Sequence, residues 1–169
     1  IPASAVGTVF SVSFVNSQIA NYTGKGCLVA EEALRVSFGC TEISNIDSWA
    51  VDFTGSNTLS TLIVEGCHFK DVGEVTINKG GISVSTVLGV VITGNTFIGI
   101  GNTGASAIAT SGTNANAQID DNTFSGCTAN LTDTATWTGN ASGFPIAFTP
   151  TLTFATPGDL NVAYTTRIG

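Results

Sequence analysis

Apolar positions along the chain fall into a pattern that returns five times. Val90-Val91-Ile92-Thr93-Gly94-Asn95-Thr96-Phe97 comes back as Ala117-Gln118-Ile119-Asp120-Asp121-Asn122-Thr123-Phe124. An earlier copy is Leu62-Ile63-Val64-Glu65-Gly66-Cys67-His68-Phe69. Fainter copies are Val36-Ser37-Phe38 closing on Ile43, and Val12-Ser13-Phe14 closing on Ile19. In each, a small or aliphatic residue opens, a larger one follows two positions on, and a third apolar residue lands seven positions on. The copies start at 12, 36, 62, 90 and 117, so the spacings are 24, 26, 28 and 27 residues. Repeats of this length are the signature of a solenoid.

Apolar residues two apart mark strands rather than helices. The repeated Val, Ile, Thr and Phe suit a pleated, half-buried surface. Between the second and third apolar positions sits a small polar pair: Gly94-Asn95, Asp121-Asn122 or Gly66-Cys67. Gly, Asn and Asp tolerate positive φ, so the chain can bend there. The bend aims Phe97, Phe124 and Phe69 at the same interior as Ile92, Ile119 and Val64. Coils stacked about 4.8 Å apart then set like on like, with Asn95 over Asn122 forming an amide ladder. The pattern predicts an all-β chain: a parallel β-helix of about five coils, 24–28 residues each, over residues 1–139. A leucine-rich repeat is disfavoured because its Leu-rich consensus is missing.

Shorter strands are expected inside each coil, at Cys27–Ala30, Trp49–Phe53, Ile82–Val87 and Ala107–Ala109, with Val75 and Ile77 counted as coil residues. The pattern weakens after Cys127 and is lost over the Thr-rich stretch from Leu131 to Trp137. Composition changes near Gly139. Residues 143–154 alternate, Pro157-Gly158-Asp159 turns the chain, and Leu160–Ile168 returns, which predicts a short β-hairpin module over 140–169. Five coils rise only about 24 Å. A solenoid that short has two raw ends, and no amphipathic capping helix is legible. Flanking sequence or partner chains are expected to cover them.

Charge narrows the partners. The net charge is −7, with Lys25, Arg35, Lys70, Lys79 and Arg167 as the only cations. Phosphate binding needs a positive surface, so nucleic acid and anionic membranes are disfavoured. A strongly acidic polymer would suit this chain only with a local basic spot or a metal. No apolar run approaches the ~18 residues of a membrane span, and no signal peptide is visible. The chain begins with Ile and contains no Met, and is expected to be part of a longer product. Cys27, Cys40, Cys67 and Cys127 are widely spaced without a CxxC pair, and are expected to be buried free thiols.

The coils, with Ile92-Thr93-Gly94-Asn95-Thr96-Phe97 as their most typical phrase, resemble the right-handed parallel β-helix of the pectin-lyase-like class. The tail Phe148-Thr149-Pro150-Thr151-Leu152-Thr153-Phe154, with Val162 to Gly169, resembles a segment near the C-terminus of bacteriophage tail fibres and tailspikes, where it begins a C-terminal β module. That resemblance implies a homotrimer on a phage particle, assembled in the host cytoplasm. It also implies binding of bacterial cell-surface polysaccharide, sometimes with cleavage.

Cleavage on a β-helix would use outward carboxylates on adjacent coils, about 5–9 Å apart. The alignment sets Glu42 and His68 at the same outward position on neighbouring coils. Glu65 precedes His68 by three residues, and Asp47 lies one residue beyond the register of Asp71. Glu42, Glu65, His68 and Asp71 are the candidate catalytic residues, with the sole histidine able to shuttle protons near neutral pH. Asp47, Lys70, Glu74 and Trp137 are candidate substrate-binding residues. The plainer alternative is that these outward charges only keep the sheet soluble. Trp49 and Tyr22 are further aromatics, with core or interface packing expected for Tyr22. No metal or cofactor site is expected, since phosphate-loop, nucleophile-elbow and zinc spacings are missing. Three functions remain open: a receptor-binding tailspike element, a polysaccharide depolymerase, and a bacterial extracellular adhesin.

Overall fold

The computed structural model describes residues 10–30, 33–55, 60–138 and 141–142. Every strand pairing among them is parallel. The first coil lays down β1 (Phe10–Val15), β2 (Gln18–Tyr22) and β3 (Cys27–Ala30). The second adds β4 (Ala33–Gly39), β5 (Glu42–Ile46) and β6 (Val51–Thr54), and the third β7 (Thr61–Glu65), β8 (His68–Val72) and β9 (Ile82–Ser85). The fourth has β10 (Gly89–Thr93), β11 (Thr96–Ile100), β12 (Ile108–Ser111) and β13 (Thr113–Asn114). The fifth has β14 (Asn116–Asp120), β15 (Thr123–Ser125), β16 (Leu131–Asp133) and β17 (Thr136–Trp137), and β18 (Ala141–Ser142) follows.

Each coil contributes one strand to each of three sheets. The first sheet runs β1-β4-β7-β10-β14-β18, the second β2-β5-β8-β11-β15, and the third β3-β6-β9-β12-β16. This is a parallel β-solenoid of about five turns. The register follows the hydrophobic repeat: Val12 pairs with Val36, Val36 with Leu62, Leu62 with Val90, and Val90 with Ala117. Because side chains alternate faces, one row faces the axis on every coil. Phe38, Val64, Ile92 and Ile119 form such a row and are buried.

The corner between the first and second sheets takes two residues. Asn16, Cys40, Gly66, Gly94 and Asp121 stand level there, and all have positive φ, from 48° to 64°. That conformation costs little in Gly and is tolerated by Asn and Asp. It turns the chain so that the next residue points inward. Thr41, Cys67 and Asn95 are therefore buried. Asn95 Oδ1 accepts from the Cys67 backbone N–H at 2.8 Å, and Asn95 Nδ2 donates to Val64 O at 2.9 Å. The expected ladder is present, since Asn95 Nδ2 also donates to Asn122 Oδ1 at 3.0 Å. Inside the second sheet, Phe69, Phe97 and Phe124 stack with centroids 4.7 and 5.3 Å apart.

Two expectations need correction, those on Val75 with Ile77 and on the cysteines. The stretch from Leu131 to Trp137, where the apolar pattern is lost, lies within the solenoid: β16 pairs with β12, and β17 with β13. Its interior is mixed: Leu131 and Trp137 pack against the core, while Asp133 Oδ1 accepts from Thr110 Oγ1 and Asp133 Oδ2 accepts from Trp137 Nε1 at 3.1 Å. Val75 and Ile77 are 66% and 60% exposed, on the link from β8 to β9, which turns these side chains to the surface while its backbone bonds to neighbouring coils. Tyr22 is in register with Ile46 and 54% exposed, which rules out core packing and leaves the interface alternative. The four cysteines are free thiols, yet Cys40 is exposed and Cys127 half-buried; only Cys27 and Cys67 are buried. Cys40 occupies the turning position of its corner, whose side chain points out. The pairing continues to Ser142, where β18 joins β14. The hairpin expected over 140–169 lies outside the described residues apart from that strand.

Candidate functional site

The second sheet carries four of the sequence's eight candidates, Glu42, His68, Lys70 and Asp71. Its strands show a regular irregularity: inward residues are three apart, as in Ile43 and Ile46, or Phe69 and Val72. The cause is a left-handed residue between them. Asn21, Asn45, Asp71, Gly99 and Gly126 stand level on successive coils, with φ of 62°, 53°, 52°, 62° and 65°. Each absorbs one position and restores the alternation.

Outward on this sheet runs one row in register. Gln18 pairs with Glu42, Glu42 with His68, His68 with Thr96, and Thr96 with Thr123. The Glu42–His68 juxtaposition expected from the repeat is therefore present, about one 4.8 Å rung apart. Ser44 Oγ donates to Glu42 Oε1 at 3.5 Å. Lys70 lies level with Ser44 and holds its Nζ 3.7 Å from Asp71 Oδ2. Both Lys70 and Asp71 side chains are well solvated, so that pair contributes little to stability. The Asp71 carboxylate leans over Gly99 of the next coil, where an added Cβ would come within 2.8 Å of Oδ1. Beside it, Asn45 Nδ2 donates to Asn21 Oδ1 at 3.1 Å, an exposed counterpart of the interior amide ladder.

The other candidates are dispersed. Glu65 ends β7 on the first sheet, across the Gly66–Cys67 corner from His68. Asp71 stands level with Asn45, so Asp47 is two residues beyond its register, not one. Asp47 sits in the corner toward the third sheet; its backbone N–H donates to Tyr22 O, and its carbonyl accepts from Thr76 N, both at 3.0 Å. Glu74 is on the β8–β9 link of the third coil, with its carbonyl accepting from Asn102 Nδ2 at 2.8 Å. Trp137 is on the last coil, tied to Asp133, far from Glu42 and His68 in the coil order. Trp49 is 7% exposed, beneath Lys79 Nζ at 5.9 Å from its ring centroid. That burial removes it as a sugar-stacking platform. Gln18, Asn21, Asn45 and Thr96 belong to the same outward face and were not singled out from sequence. Register arithmetic on the repeat would have found them, since Gln18, Asn45 and Thr96 are one period, and Asn21 two, from a residue that was.

The backbone spacing bears on the chemistry. Glu42 and Asp71 lie three strand positions apart along the sheet, about 10 Å, and one rung across. A glycosidase pair needs its carboxyl groups about 5–9.5 Å apart, so these two start at or beyond that range. Glu42 and His68 are level on neighbouring strands, one rung apart, which suits a hydrogen-bonding pair or an acid–base pair. No group of three or more His, Cys, Asp or Glu side chains among the described residues could hold a metal. Comparison with protein-family models, with curated proteins and with solved structures finds no match.

Proposed function

We propose that this solenoid is a receptor-binding element of a bacteriophage tailspike, a homotrimer that presents its second sheet to bacterial surface polysaccharide. The observation that carries the reading is the outward row Gln18, Glu42, His68, Thr96 and Thr123, in register on five successive coils. Such a row offers amide, carboxylate, imidazole and hydroxyl groups at a regular spacing, a set able to donate and accept hydrogen bonds with sugar hydroxyls. The acidic balance of the chain speaks against nucleic acid and anionic membranes as alternative ligands. The tail phrase from Phe148 to Gly169 supports the phage assignment by resemblance.

A second reading, polysaccharide cleavage, is favoured by one observation: Glu42 and His68 are level on neighbouring strands. Retention of the chain on immobilised bacterial surface polysaccharide tests the first reading. Saturable retention without new reducing ends or unsaturated products supports binding alone. Release of such products, lost in Glu42→Gln and His68→Ala, supports the enzyme. No retention on any surface polysaccharide of the panel rejects both. Sedimentation equilibrium tests the trimer, and a strict monomer at high concentration contradicts it.

A further inference from the structure

Resting on that glycan-binding reading, we infer that the second-sheet face selects chains without acidic groups, that is, neutral or amino-bearing glycans, and excludes polyuronates and sulfated polymers. Sequence alone leaves two escapes for an acidic ligand, a local basic spot or a metal. Among the described residues no group of three or more His, Cys, Asp or Glu could hold a metal, and the basic spot is closed as well. Lys25 is ion-paired with Asp52, away from this sheet. Lys79 lies over the Trp49 ring in the corner. Lys70, the one lysine on the face, holds its Nζ 3.7 Å from the Asp71 carboxylate of its own strand. Arg35 lies on β4, in a different sheet.

With Lys70 and Asp71 offsetting each other, Glu42 then sets the sign of the local potential, in a chain of net charge −7. Among the described residues an approaching polyanion meets carboxylates with no uncommitted lysine or arginine beside them, and like-charge juxtaposition is an effective means of rejecting a partner. A neutral sugar meets the same carboxylates as hydrogen-bond acceptors, each with two oxygens to offer its hydroxyls. An amino sugar adds a favourable charge contact.

Affinity electrophoresis at low salt tests this with bacterial surface polysaccharides sorted into neutral, amino-bearing and uronate-bearing sets, plus polygalacturonate as a defined polyanion. Retention by neutral or amino-bearing sets, with polygalacturonate at least about tenfold weaker, is expected. Glu42→Lys should raise polygalacturonate retention at least about tenfold, and added salt should abolish that gain. Equal or stronger retention by the acidic polymers, in the unaltered chain, overturns the inference but leaves the glycan reading standing. Retention by none of the sets overturns both.

Discussion

Asn95 of the fourth coil donates from its side-chain amide to Asn122 Oδ1 of the fifth at 3.0 Å, while accepting from the Cys67 backbone N–H of the third at 2.8 Å. One side chain thus joins three coils at a buried corner. Asn95→Leu leaves the Cys67 N–H without its acceptor and Val64 O without its donor. Two unpaired buried backbone groups cost about 2–4 kcal/mol. Asn122→Leu should cost less, because that residue is half-buried and nearer the last coil. Urea unfolding followed by circular dichroism measures both, and an unchanged midpoint for Asn95→Leu contradicts the ladder's role.

The phenylalanine stack gives a graded prediction. Phe97 is sandwiched between Phe69 and Phe124, whereas Phe124 stacks on one ring among the described residues and is half-buried. Phe97→Ala should destabilise by about 3–5 kcal/mol and Phe97→Leu by much less, since Leu retains most of the buried volume. Phe124→Ala should fall below Phe97→Ala. The same unfolding experiment ranks them, and the reverse order would place the core elsewhere.

Thiol chemistry separates the cysteines. Cys40 is exposed and should react with an aromatic disulfide reagent in the native protein, while Cys27 and Cys67 react only on unfolding. Burial raises the pKa of both buried thiols, with hydrogen bonds to the Cys67 sulfur partly offsetting the effect. The folded state therefore holds these protons to higher pH than the unfolded chain does. Their stabilising contribution is complete below the ordinary thiol pKa near 8.5 and declines as pH rises past it. Unfolding midpoints between pH 7.5 and 10 should fall more steeply for the parent than for a Cys27→Ala/Cys67→Ala variant. Parallel slopes would show that these thiols titrate alike in the folded and unfolded chain and would contradict the effect of burial.

Gly99 tests the left-handed column on the outward face. Its φ is 62°, and an added Cβ would lie 2.8 Å from Asp71 Oδ1. Gly99→Ala should cost about 1–2 kcal/mol for the left-handed backbone and should push the Asp71 carboxylate aside. Gly94→Ala has a similar φ of 64° but its nearest neighbour is 3.9 Å away, so only the backbone cost applies. A change in glycan retention is expected for Gly99→Ala and not for Gly94→Ala. Equal retention in the two variants would remove Asp71 from the binding face.

Much of this architecture was legible because the apolar repeat and the strand register are the same fact. A residue and its counterpart one period away must face one interior, so Val36, Leu62, Val90 and Ala117 could be aligned before any coordinates. The Glu42–His68 pairing followed from the same alignment. Direction at the corners was less legible. Cys40 and Cys67 are both cysteines at neighbouring corners, yet one takes the turning position and points out while the other points in. Hydrophobicity cannot show that difference. The apolar pattern weakens past Cys127 because there Leu131 and Trp137 share the interior with Asp133, which is held by hydrogen bonds. A search for apolar periodicity does not register those. Val75 and Ile77 misled for the opposite reason: they are apolar, but the longer link that carries them turns their side chains to the surface.

The most direct measurement is a methyl and aromatic nuclear Overhauser experiment on selectively labelled protein. Cross-peaks from the Ile92 methyls to both Val64 and Ile119, together with Phe97 ring contacts to both Phe69 and Phe124, are predicted by coils stacked in register. Absence of the Ile92–Ile119 cross-peak, with Ile92 instead contacting an antiparallel neighbour, would contradict the solenoid and the outward row built on it.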